Sequence, residues 1–226
     1  MKLAYEKIIK DAGIRFLIEQ GWLSKYEQYI IPEFTVAEVV KQYLISPEKW
    51  GKSIIYMKTK GDCDEVNRRL QQAGMASDVM YSDQTLPIRE DIFEKFEDGR
   101  LKVLINIYLL SEGLDVPDLQ TVFIRDTVKL MTIQCAGRVL RLDPQNKNKI
   151  AKVVQSEGAI FPFFEAAKPI SQFVWTKNKW FSISENEMVS KISKITQSLR
   201  MNRPINIISD HGGTLRIEGD NLLLCR

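Results

Sequence analysis

The chain has 226 residues, enough for one large domain or one domain with a small appendage. A hydrophobic fraction of 44% supports a sizeable core, and a net charge of only +3 means that any anion site must be local. Three scattered cysteines (Cys63, Cys135, Cys225) without C-x-x-C spacing and a single histidine, His211, argue against zinc, so no metal ligands are assigned.

The first residues, MKLAYEKIIKDAGIRFLIEQ, are charged throughout and lack the apolar centre of a signal peptide. No apolar run reaches the roughly 18 residues of a membrane span. A cytoplasmic protein without membrane partners is expected. Ile8, Ile9, Ala12, Ile14, Phe16 and Leu17 predict a helix over 5–20, stopped by Gly21. KYEQYIIPEFTV reads as an extended passage closed by Pro32, and a second helix is expected over about 35–45.

From Ser53 onward, short apolar strands alternate with amphipathic helices. SIIYMK is a strand. The following helix has Asp62 as its expected N-cap, Glu65 at the capping-box position, Cys63, Val66 and Leu70 on one face, and Gly74 at its stop. SDVMYS is a strand. LPIREDIFEKFEDG is a helix with Pro87 in its first turn and Ile88, Ile92, Phe93 and Phe96 pointing inward, ending at Gly99. LKVLINI and TVFIRD are strands, and MTIQCAGRVLR is helical. This alternation predicts an α/β fold with a parallel sheet flanked by helices.

The later residues change character. QFVWTKNKWFSI reads as a hairpin turning at Lys177-Asn178, 189–199 as a helix, and the last 21 residues as three short strands. A linker and N-terminal helix over 1–35, a main domain over 36–155 and a smaller C-terminal α+β module over 156–226 are therefore expected. In that module Phe173, Trp175, Trp180 and Phe181 could stack on bases, but a cross-strand aromatic set is more often packing.

Two segments imitate nucleotide motifs. SPEKWGKS (46–53) has Ser46 where a phosphate loop begins with Gly, and a strand follows it instead of a helix. DEVN (64–67) lies within an amphipathic helix, whereas a magnesium-binding Asp belongs at the carboxyl end of a strand.

QCAGRVLR (134–141) is different. On a continuous helix Gln134, Arg138 and Arg141 share one face at i, i+4 and i+7, and Ile133, Gly137 and Leu140 share the other. A mid-helix glycine costs about 1 kcal/mol, which suggests that Gly137 packs closely on the sheet. Two guanidiniums on one face suit a polyphosphate, because each binds phosphate bidentately and keeps its charge. A solvated basic face is the plainer alternative.

The octapeptide resembles Q-x-x-G-R-x-x-R, motif VI of superfamily-two helicases. VLINIYLLSEGLDVPDL (103–119) resembles their motif V, SIIYMKT (53–59) their motif IV, and 80–104 the segment between them. The order and spacing resemble the C-terminal, second RecA-like domain of DEAD/DEAH-type helicases, and the wording of motif V and of LIEQGWLSKYEQYIIP looks most like DNA-repair and phage-type members. The resemblance implies a RecA-like fold and assigns roles by position. Arg138 and Arg141 would act as arginine fingers on ATP, and Gln134 would help position the γ-phosphate or the attacking water. Gly113, Asp115 and Gly137 would line the nucleotide, with Asp115 near the ribose. Thr59, Ser82, Arg89 and the Asn106-Ile107 backbone would grip one nucleic-acid strand through its phosphates, without reading sequence.

Ile107 stands where the family usually has a phosphate-contacting Thr, and Ser82 where it often has Gly. The P-loop, the magnesium-binding DExx motif and motif III of the first RecA-like domain do not occur in these 226 residues. ATP with Mg2+ would therefore need a first RecA-like domain from another chain or a missing segment, which would also supply the metal ligands. The expected function is the C-terminal half of an ATP-dependent helicase or translocase, inactive as an ATPase alone, with single-stranded or duplex DNA favoured over RNA. The alternative is a non-catalytic RecA-like module that binds nucleic acid or protein. A nucleotide-sugar or dinucleotide enzyme on a similar α/β sheet is a remote third reading, since no G-x-G-x-x-G occurs.

Overall fold

The computed structural model describes residues 13–107 and 116–183, together with the backbone of 206–209 and 215–218. The expected helix over 189–199 and the third C-terminal strand lie outside the described residues. Two compact units divide at residue 183. In the second, strands Asn206–Ser209 and Leu215–Glu218 pair antiparallel.

The first unit is built on one eight-stranded sheet. Its strands are β1 (Tyr26–Ile31), β2 (Ser53–Tyr56), β3 (Ser77–Val79), β4 (Val103–Asn106), β5 (Thr121–Ile124), β6 (Ala151–Ser156), β7 (Ser171–Thr176) and β8 (Lys179–Ser182). The spatial order is β3-β4-β2-β5-β6-β1-β7-β8, and every pair is parallel except β7 with β8. The described helices are α1 (Ile14–Glu19), α2 (Val36–Ile45), α3 (Pro47–Trp50), α4 (Lys60–Gln72), α5 (Leu86–Glu97) and α6 (Lys129–Val139). None is long and apolar enough to cross a membrane.

Both faces of the sheet are covered, so alternate residues of each strand enter different cores. Ile54, Tyr56, Leu104, Val122, Ile124 and Val153 pack with Ile92 and Phe96 of α5 and with Cys135, Ala136 and Val139 of α6. Ile55, Val103, Ile105, Phe123 and Val154 pack with Val39, Val40 and Tyr43 of α2 and with Cys63, Val66 and Leu70 of α4.

Local signals set the helix limits. Thr35 caps α2, its hydroxyl accepting from the Glu38 N–H at 3.3 Å. Pro87 occupies the first turn of α5, and Gly74 and Gly99 take positive φ just after α4 and α5. Two details differ from expectation. The cap of α4 is Thr59, whose hydroxyl accepts from the Asp62 N–H at 3.1 Å, so Asp62 lies within the first turn. Ile88 is not inward but 49% exposed, because α5 buries Ile92 and Phe96 one turn later.

The expected domain limits also move. β1 lies within the supposed linker, yet it pairs with β6 on one side and β7 on the other. The hairpin does turn at Lys177 and Asn178, both at positive φ, as two-residue turns require. It belongs to the main sheet, however, and not to a separate module.

Aromatic rings bind this hairpin to the sheet. Tyr29 stacks on Phe173 at 4.8 Å and meets Trp50 and Trp180 edge-on. The Lys49 ammonium sits 4.1 Å from the Tyr29 ring centroid, 4.7 Å from Trp180, 4.9 Å from Trp50 and 5.7 Å from Phe173. Burial pulls its pKa down to about 8. Phe173, Trp175 and Trp180 are therefore packing residues, while Phe181 is 40% exposed. Lys49→Met keeps the stem but removes the charge over four rings. It should lower stability by roughly 1 kcal/mol in a urea unfolding curve; no change would show that the rings pack equally well without the cation.

Candidate nucleotide and nucleic-acid site

The parallel register gathers the proposed strand-gripping residues. Tyr56 pairs with Asn106, and Val79 with Ile105, so β2, β3 and β4 end side by side. Thr59 follows β2 by three residues, Ser82 follows β3 by three, and Asn106 and Ile107 close β4. Thr59 and Ser82 are exposed, and Ile107 is half-buried. Asn106 is fully buried, and its backbone carbonyl accepts from the Met57 N–H at 2.9 Å. Asn106 thus braces the rim from inside.

Side chains stitch the first two loops together. Lys60 pairs with Asp83, and the Tyr81 hydroxyl donates to the Lys60 carbonyl at 3.1 Å and to Asp64 at 2.7 Å. Burial, and then the Asp64 bond, push the Tyr81 hydroxyl well above the usual phenol range, so it stays a donor. Arg89 lies on α5 beside this rim, half-buried, and its Nε meets no acceptor among the described residues. The rim offers hydroxyls, backbone N–H groups and one guanidinium, a set suited to phosphates.

The second cluster is carried by α6. Thr132, Cys135, Ala136 and Val139 face the sheet, leaving Gln134 exposed and Arg138 half-buried on the outer side. Burial raises the Cys135 thiol to about 12, so it acts as a small apolar filler. The single-face expectation fails at its end: α6 stops at Val139, Leu140 is its C-cap, and Arg141 lies beyond. Leu140 is fully buried and Ile133 packs against the same core, while Gly137 between them is half-buried. A Cβ added at Gly137 would meet nothing within 4 Å among the described residues, so close packing on the sheet is also corrected.

What holds Arg141 is a pair of residues that sequence reasoning missed. The Leu140 carbonyl accepts from the Ser24 N–H at 2.7 Å, and the Arg141 carbonyl accepts from the Ser24 hydroxyl at 3.2 Å and from the Lys149 ammonium at 2.8 Å. The same ammonium donates to the Pro117 carbonyl at 2.6 Å. Lys149 is only 7% exposed, and burial lowers its pKa to about 8 against the opposing pull of Asp143 and Asp118. Its sequence context, LDPQNKNKI, reads as a solvated polar loop and gives no signal of this. Gly113 and Asp115 lie outside the described residues. No cluster of three His, Cys, Asp or Glu side chains occurs among those described.

Residues 35–143 match the helicase conserved C-terminal domain. Over those residues the chain is similar to the C-terminal domain of superfamily-two helicases. Among its relatives, the DEAD-box ATP-dependent RNA helicase rde-12 of Caenorhabditis elegans is 33% identical over 120 residues, covering 53% of this chain and 12% of that protein. The DEAD-box ATP-dependent RNA helicase 14 of Arabidopsis thaliana is 36% identical over 84 residues, covering 37% of this chain and 13% of that protein. The chain thus spans about an eighth of the length of either relative. In fold it is similar to S. cerevisiae Dbp5, solved bound to RNA and ADP BeF3, with a TM-score of 0.52 at 20% identity over 76% of this chain and 45% of that one. These relatives are named RNA helicases, which overturns the expectation of DNA ahead of RNA.

Two outcomes follow for α6 and its support. Gly137→Ala should stabilise the isolated chain by about 0.5–1 kcal/mol, because a helical glycine gives up backbone entropy for no packing gain; a lowered melting temperature would mean that the position is crowded after all. For Lys149 the folded pKa lies below the ordinary lysine value, so the folded state binds fewer protons between the two. Stability of the native chain should rise from pH 8 to about 10.5, relative to Lys149→Met. Parallel stability-against-pH curves for the two proteins would refute that assignment.

Proposed function

We propose that this chain serves as the C-terminal half of an ATP-dependent RNA helicase motor. The observation that carries the reading is the coexistence of two surfaces on one sheet: a phosphate-suited rim at the ends of β2, β3 and β4, and an arginine pair at the end of α6. Thr59, Ser82, Arg89 and the backbone at Asn106 and Ile107 hold a strand by its phosphates. Ile107 has no hydroxyl, so only its N–H serves there. Gln134 orients the terminal phosphate or the attacking water. Arg138 and Arg141 neutralise the charge that builds on the departing γ-phosphoryl group, and Asp115 and Gly113 border the ribose. Mg2+ would supply charge neutralisation at the phosphates, and its ligands would come from a first RecA-like domain rather than from these residues. Closing of the two domains on ATP and opening after hydrolysis step the pair along the strand.

The test is reconstitution. Residues 1–226 alone should show no ATPase above background, and pairing with a matched first RecA-like domain should create RNA-stimulated hydrolysis. Arg138→Ala or Arg141→Ala should then cut turnover by about 10³-fold or more, without rescue by Lys and with RNA binding intact. Arg89→Ala should weaken binding of every RNA sequence alike and make the salt dependence shallower. Robust ATPase from the chain alone would refute the half-motor reading. Unchanged turnover in both arginine variants would favour a binding module without catalysis.

A further inference from the structure

Arg141 lies past the last helical residue, so the i to i−4 ladder of α6 does not fix it. Its carbonyl is instead held by two donors from distant segments, the Ser24 hydroxyl and the Lys149 ammonium. The loop between Arg141 and Lys149 is folded to make this possible. The Asp143 carboxylate accepts from the Gln145 N–H at 2.9 Å, the Asn146 side chain accepts from the Asn148 N–H at 3.2 Å, and the Asn146 carbonyl accepts from the Lys149 N–H at 3.1 Å. These local bonds turn the chain back so that Lys149 points at the backbone it has just left. The ammonium also takes the Pro117 carbonyl, at the start of the segment that leads from the motif V region into β5.

We propose that Lys149 is a positioning residue for phosphoryl transfer: it pins the backbone of Arg141 to that of Pro117, and so fixes the finger relative to the chain that enters β5. This rests on the reading of Arg141 given under the proposed function. A buried ammonium is costly to desolvate, and a fold needing only packing here is served by an apolar side chain. Two carbonyls from two functional segments need a donor, and a compact group with three rotatable N–H bonds reaches both. A displacement of about 1 Å in a reacting group costs on the order of 10²-fold in rate, so a pin on the finger's own carbonyl acts on turnover rather than on ATP affinity.

The test uses the chain paired with a first RecA-like domain, with Mg·ATP and a homopolymeric RNA. Lys149→Met should lower kcat at least tenfold, leave the KM for ATP within about twofold, and leave RNA binding unchanged. In an Arg141→Ala background the same substitution should have no further effect on kcat, because two residues acting through one group are not additive. Ser24→Ala removes one of the two donors to the Arg141 carbonyl without leaving a buried charge, and serves if Lys149→Met fails to fold. Its loss of kcat should be smaller and should likewise vanish in the Arg141→Ala background. A kcat within twofold of native in the folded variants, or an equal loss with and without Arg141, overturns the positioning role. If Arg141→Ala itself leaves turnover intact, the finger assignment fails instead.

Discussion

The parallel, in-register pairing of β2, β3, β4 and β5 is the constraint on which the rest of the molecule depends. Parallel strands must all run out at one end, so the loops after them share a rim whatever their sequences. The pairing of Tyr56 with both Asn106 and Ile124 sets that rim to within a residue. Because helices cover both faces, the interiors of β2, β4 and β5 are buried throughout, and polar chemistry is confined to the ends. Thr59, Ser82 and Ile107 meet for this reason, although 48 residues separate the first from the last.

The same burial explains which strands were legible. SIIY, VLIN and TVFI are short apolar runs between turn signals and are read without difficulty. YEQYII and AKVVQS are just as central but carry polar residues. Gln28 and Gln155 are fully buried, and each depends on the other: the Gln28 amide donates to Gln155 Oε1 at 3.3 Å, and that oxygen also accepts from the Phe163 N–H at 2.8 Å. A buried glutamine with partners is sound physics, but periodicity has no access to a partner 127 residues away. β1 is legible as an extended passage but falls within the expected linker, and β6 is not read as a strand at all; both domain limits move as a result, since β1 joins the hairpin to the rest of the sheet.

The arginine motif was legible in its residue types and only partly in its geometry. Helical spacing holds from Gln134 to Arg138 and then fails, because periodicity does not announce where a helix stops. The nearest breaker, Pro144, comes four residues after Leu140 and so does not fix the last turn of α6. Gly137 misled for a related reason. A mid-helix glycine need not mark a close approach: a Cβ at Gly137 would meet nothing among the described residues, and the sheet-facing positions are taken by Thr132, Cys135, Ala136 and Val139.

The two arginines are held by unlike means, which bears on how such a site tolerates change. Arg138 is carried by α6 and inherits its place from the packing of Cys135, Ala136 and Val139, a support spread over many contacts. Arg141 depends on a few hydrogen bonds whose donors, Ser24 and Lys149, come from chain segments on either side of it. Packing supports degrade gradually, because neighbouring side chains share the loss. A carbonyl held by two donors loses half of its support with either one, and an unmet buried acceptor carries a desolvation penalty. The position of the second arginine is therefore the more fragile of the two, and its fragility resides in a lysine that resembles a surface charge in the sequence.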